Sequence, residues 1–109
     1  MTRRSTPSFG AISILHAVAS GNRFGFDIME ATGLTSGTVY PTLDKLENEG
    51  LLGSRWEPES VAHREGRPAR RYFHLTAAGA ATLEAALQKY KTLRRVRIDP
   101  SAFDPIEPR

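Results

Sequence analysis

Apolar positions recur with helical spacing through the first half of the chain. From Ser8 to Ser20, Ala11, Ile12, Ile14, Leu15, Val18 and Ala19 fill a broad arc, the pattern of a helix packed on more than one side. Gly21 and Asn22 stop it. A second, short helix over Phe24 to Thr32 sets Phe24, Ile28 and Ala31 on one face, with Gly33 as its C-terminal cap. Thr35-Ser36-Gly37-Thr38 is a turn rich in capping residues, and a third helix follows to about Glu49, stopped by Gly50. At ~100° per residue, Val39, Leu43 and Leu46 share one side of it, while Gly37, Thr38, Pro41, Asp44, Lys45 and Asn48 lie opposite. Pro41 sits early enough to put one backbone hydrogen bond at stake, and Gly37, four residues back, leaves room for its ring.

The period then changes to two. Leu51 to Pro58 and Ala69 to Leu75 read as strands, with Phe73 and Leu75 alternating with Tyr72 and His74. A polar loop, 59–67, joins them into a hairpin. Thr76 caps a last helix that runs to about Arg97 and carries an apolar stripe of Leu83, Ala86, Leu87, Tyr90 and Leu93. That stripe either folds back on its own domain or pairs with a second copy. Beyond it the chain has no period, although Ile98, Phe103 and Ile106 are placed to strap it onto the body.

The expected organisation is a flexible basic arm (1–7), a compact domain (8–75), a C-terminal helix (76–97) and an acidic, Pro-rich tail (98–109). The fold class is mainly α with a small β-hairpin. Two helices joined by a short turn have helix-turn-helix geometry, in which the later helix enters the DNA major groove. The hairpin after them is then a wing, so the order predicts a winged helix-turn-helix plus a C-terminal helix.

Composition narrows the function classes. The chain has 109 residues, enough for one domain. It contains no cysteine, which rules out disulfides, Cys-ligated zinc and thiol chemistry, and His16, His63 and His74 are scattered without metal-ligand spacing. No cofactor is expected. No nucleophile–base pair or phosphate loop is visible, so an enzyme is disfavoured. No apolar run approaches the ~20 residues of a membrane span, and no secretory segment follows Arg3-Arg4, so a soluble, cytoplasmic protein is expected.

The net charge of +3 decides nothing, but its distribution is uneven. Ten of the fifteen Lys and Arg lie within residues 51–97, and the start of the third helix is free of acid, with Asp44, Glu47 and Glu49 coming later. Such segments suit either a polyanion or a solvated surface. Groove reading uses the first residues of the recognition helix, and a helix N-terminus offers N–H groups to phosphate. Thr35 and Ser36 can cap the helix, approach DNA, or both; Thr38 and Pro41 face outward, and a threonine methyl can meet the thymine methyl. Tyr40 either packs on the body or donates to a phosphate. Arg64, Arg67, Arg70 and Arg71 on the wing reach phosphates or a narrow minor groove, or remain solvated. Trp56 is expected to anchor the hairpin, Met29 and the Phe24/Phe26 pair to lie in the core, and His16 to face solvent. The acids leave open a winged-helix module that binds protein without binding DNA.

Four runs carry a family resemblance. Phe24-Gly25-Phe26-Asp27-Ile28, Gly37-Thr38-Val39-Tyr40-Pro41-Thr42-Leu43-Asp44-Lys45-Leu46-Glu47 and Gly50-Leu51-Leu52 resemble the winged-helix core of the PadR family of bacterial transcriptional regulators. Gly66-Arg67-Pro68-Ala69-Arg70-Arg71-Tyr72-Phe73-His74-Leu75-Thr76 resembles that family's second wing strand, and Trp56 falls where it often has a wing tryptophan. The resemblance covers about residues 9–95 and does not extend to the tail after Arg97. It implies a homodimeric, repressor-like regulator of the short form that binds double-stranded DNA, with a palindromic operator. By carry-over, Thr35, Ser36, Thr38, Tyr40, Pro41 and Thr42 lie on or beside the reading helix, with Lys45 on its outer face, and Arg64, Arg67 and Arg70 on the wing. It also implies a dimer interface built by the C-terminal helix, hence by Leu83, Ala86, Leu87, Tyr90 and Leu93. Some members of that family sense small aromatic or drug-like effectors near the dimer interface.

Overall fold

A computed structural model of the chain describes residues 7–89 and 99–103. The elements follow in the order α1 (Phe9–Ala19), α2 (Gly25–Thr32), α3 (Ser36–Asn48), β1 (Leu52–Trp56), α4 (Glu59–Glu65), β2 (Arg71–Leu75), α5 (Ala77–Lys89) and a 3-10 turn (Pro100–Ala102). The central element is α1, which touches α2, α3, α5 and β2. Its broad apolar arc explains this position, since Ile14, Leu15, Val18 and Ala19 are all fully buried. Ser8 caps it by accepting from the Ala11 N–H at 3.1 Å.

Ile28 holds α2 to this core, and Val39, Leu43 and Leu46 hold α3. The three α3 residues fall on one face, so the opposite face is left free. Ala31, expected on the face of Ile28, is exposed. Pro41 stays within a continuous α3. Lacking an N–H, it withdraws the donor that the Gly37 carbonyl would otherwise receive.

The hairpin pairs antiparallel, with Leu52 opposite Leu75, Ser54 opposite Phe73 and Trp56 opposite Arg71. Its other edge joins the body, where the Phe73 N–H donates to the Arg23 carbonyl at 2.7 Å. Residues 59–67, expected as a polar loop, contain a helix instead. Ala62 is buried on the inner side of α4, which gives this otherwise polar segment one apolar anchor.

Thr76 starts α5 as expected, accepting from the Gly79 N–H at 3.0 Å. Gly79 is required there by contact, because a Cβ would collide with the Leu51 carbonyl. Described helix ends at Lys89; the continuation expected to Arg97, with Tyr90 and Leu93, lies outside the described residues, as do residues 1–6 of the arm and Ile98 and Ile106 of the strap. The strap nevertheless closes on the body. The Asp99 N–H donates to the Ala19 carbonyl at 2.8 Å, and Ala102, not Phe103, is the buried residue. Helices α2 and α3 followed by the hairpin make this a winged helix, mainly helical. No helix among the described residues is long and apolar enough to cross a membrane.

Candidate nucleic-acid interface

The free face of α3 begins at an extended Thr35 that occupies the cap position without a side-chain cap bond. The first turn is closed by backbone alone, with Thr38 and Val39 N–H groups donating to the Thr35 carbonyl at 3.0 and 2.9 Å. The Thr35 hydroxyl is therefore not used for capping, contrary to one of its two expected roles. Thr35, Ser36, Thr38, Pro41 and Lys45 are exposed together, and Thr42 is half-buried at their edge. Tyr40 packs on the body, one of its two expected roles, and stays partly open to solvent. Its ring packs where a Cβ on Gly25 would strike its hydroxyl, yet 48% of the residue is exposed.

Two acids of α3 are engaged by the hairpin. Arg71 on β2 donates to Glu47 through one guanidinium nitrogen and lies 3.5 Å from Asp44 through another. Its Nε donates to Ser54 Oγ at 3.1 Å, and Ser54 Oγ donates to Glu47 Oε2 at 2.7 Å. Asp44 and Glu47 thus tie α3 to the hairpin.

The wing arginines divide into two kinds. Arg67, expected as a DNA contact, is held by the chain's own acid. Its two terminal nitrogens donate to Glu57 Oε1 and Oε2 at 2.7 and 2.9 Å, a bidentate pair. Glu57 is 6% exposed and also accepts from the Arg70 N–H at 3.2 Å and the Tyr72 hydroxyl at 3.3 Å. The Arg67 hydrogen bond is the main reason its carboxyl is held down to about 2. The charge of Arg67 is thus matched locally by Glu57, and the pair ties Arg67 to the start of the 57–67 segment. Arg64 is exposed on α4. The Arg70 guanidinium lies over the Phe24 ring at 4.2 Å.

The aromatic residues depart most from expectation. Trp56 does not anchor the hairpin, and Phe26 is not core: they are 66% and 62% exposed. Phe24 is half-buried, edge-on to Tyr72 with ring centroids 5.5 Å apart. The signal for Phe26 was available, since two residues before Ile28 on a helix is nearly the opposite face. Met29 packs partly buried on the core, and His16 is exposed, both as expected. In α5, Leu83 and Ala86 are buried by the chain's own core, at 1% and 9%, and Leu87 packs on it half-buried.

A family model described as the transcriptional regulator PadR-like family matches residues 14–85. No curated protein matches the chain. Among solved structures, a PadR family transcription regulator from Clostridium difficile R20291 is similar at 23% identity with a TM-score of 0.68, over 78% of this chain and 90% of that one. The protein smu.1704 from Streptococcus mutans UA159 is similar at 24% identity and a TM-score of 0.62, over 84% and 85%. A PadR-like transcription factor from Bacteroides fragilis is similar at 23% identity and a TM-score of 0.60, over 74% and 80%. At these identities the likeness to solved structures is one of fold.

Proposed function

The chain belongs to the PadR-like family of transcriptional regulators, and from that membership we propose that it is a homodimeric repressor that binds a palindromic double-stranded DNA operator. The observation that carries this reading is the first part of α3. Thr35, Ser36, Thr38 and Pro41 are exposed in an acid-free patch, while Val39, Leu43 and Leu46 fix the helix from behind. An exposed N-terminal turn on a rigidly backed helix suits insertion into the major groove. Lys45 then meets backbone phosphate, and Arg64 and Arg70 follow it on the wing, giving affinity without sequence information.

Two of the acids that left a protein-binding module open, Asp44 and Glu47, are engaged within the chain by Arg71, which supports the DNA reading. Pairing uses the exposed part of Leu87, together with Tyr90 and Leu93 that follow it in the sequence, since Leu83 and Ala86 serve the protomer's own core. An effector that relieves repression, if it is a small aromatic molecule, acts near that interface. A gel-shift titration against the DNA upstream of the coding region, with the mass of the complex measured by light scattering, tests the proposal. A shifted complex holding two chains of 12.0 kDa is expected; no shift at low salt refutes it.

A further inference from the structure

Two arginines flank Tyr72 on the outer side of the hairpin. Phe73 and Leu75 are buried in the core, so Tyr72 and His74, which alternate with them along β2, face the other way. Arg55 stands directly opposite Tyr72 on β1. At the other edge of β2, where the Phe73 N–H meets the Arg23 carbonyl, the Arg23 guanidinium lies 5.8 Å from the centre of the Tyr72 ring. Among the described residues no carboxylate lies within ion-pair distance of Arg23. Glu57, which accepts from the Tyr72 hydroxyl, is already matched by Arg67. Arg23 and Arg55 sit on segments either side of β2, two strand spacings or about 10 Å apart.

We propose that the acidic, Pro-rich segment after Phe103 docks across this face, with Asp104 on Arg23 and Glu107 on Arg55, and screens both arginines from nucleic acid. Residues 104–109 lie outside the described residues, but the place from which they depart is fixed by the strap. The Asp99 carboxylate lies against Gly21, two residues before Arg23, and would block a Cβ there. The Ala102 N–H closes the turn on the Asp99 carbonyl at 2.8 Å, and the turn touches β2. Phe103 therefore leaves the body beside Arg23 and Tyr72.

The spacing of the segment fits the spacing of the arginines. Asp104 precedes Pro105 and Glu107 precedes Pro108, which biases both acids towards extended backbone. At three residues per turn and ~3.1 Å per residue, their carboxylates fall on one side about 9 Å apart. The two prolines fall on a second side, where their rings suit the half-buried Tyr72. Ile106 and Arg109 fall on the third, which keeps the one cation of the segment away from Arg23 and Arg55.

The docking stands apart from the DNA-binding reading; the screening rests on it. The chain has no cysteine, so Ile106→Cys takes a single nitroxide label at an outward position. In the full chain the label is expected to broaden the amide signals of Arg55 and Tyr72 and to spare those of Thr38 and Lys45 on α3. Arg55→Glu should abolish that broadening, and adding Glu107→Lys should restore it. No broadening at Arg55 and Tyr72, or broadening only when labelled chains are mixed with unlabelled ones observed by isotope, overturns docking within the chain; the second result assigns the face to a second copy. Asp104→Asn with Glu107→Gln is expected to tighten binding to an unrelated duplex and to steepen the slope of log affinity against log salt by about two, one for each arginine released. An unchanged slope overturns the screening. Failure of every duplex to bind at low salt removes the DNA-binding reading and with it the screening, while the label still decides the docking.

Discussion

Arg71, near the start of the second wing strand, is bonded to Glu47 on the recognition helix, twenty-four residues away in the chain. The bond joins the two elements that would enter adjacent grooves of DNA, so their relative angle is set before binding. Both side chains are about one-third exposed, which limits the contribution to stability to about 1 kcal/mol. A double-mutant cycle of Arg71→Ala and Glu47→Ala, followed by urea denaturation, is expected to give a coupling of that size. A coupling of zero would show that the bridge does not hold the wing.

Arg67→Ala is expected to lower DNA affinity without altering the salt slope, because the arginine's charge is already matched by Glu57. Arg64→Ala, at an exposed position, is expected to flatten the slope by about one. The comparison needs only binding isotherms at several salt concentrations. Equal slopes for the two variants would reverse the division between structural and DNA-facing arginines.

Glu57 also predicts a pH dependence. Its carboxyl titrates near 2 in the folded chain, below the ordinary 4.5, chiefly because Arg67 hydrogen-bonds the ionised form. A depressed folded value makes the pair's stabilisation complete above about 4.5 and lost as pH falls toward 2. Thermal melts of the native chain and Arg67→Ala should differ at neutral pH and converge in acid. A constant difference across that window would separate Glu57 from acid unfolding.

Gly79→Ala should destabilise the protein by about 1–3 kcal/mol, the range for an overpacked contact. The added Cβ meets the Leu51 carbonyl, which cannot move without disturbing the Thr76 N–H bonded to it at 3.2 Å. Denaturant midpoints check this, and a neutral substitution would mean that α5 can slide.

Thr38→Ala should change which bases are preferred at one or two operator positions while leaving stability nearly unaltered, since Thr38 is exposed near the start of α3. Site selection from random duplexes measures it; an identical selected profile counts against base contact by this residue.

The parts of the fold legible in the sequence are those with a strong period and a local stop. Val39, Leu43 and Leu46 gave α3 its inner face, and the opposite face, free of acid at its start, followed at once. The helix α4 was hidden because seven mostly polar residues with one buried alanine leave no period to read. Trp56 misled for a different reason. Leu52, Ser54 and Trp56 share one face of the hairpin with their partners Leu75, Phe73 and Arg71. That face is covered near Leu52 and runs beyond the body at Trp56, and alternation says nothing about how far the body extends. Nor does charge order along the chain reveal that Glu57 pairs with the Arg67 guanidinium while that of Arg70, three residues on, lies over the Phe24 ring.

The strap at Asp99 bears on where this protein can be cut. The family model's match ends at residue 85, yet Asp99 closes the C-terminal end of α1 and Ala102 is fully buried against the body. A fragment trimmed to the region of similarity would open the Ala19 carbonyl to water and leave a hole where Ala102 sits. The segment beyond that match is therefore part of the folding unit, and its loss would be felt at the base of the helix that α2, α3, α5 and β2 all touch.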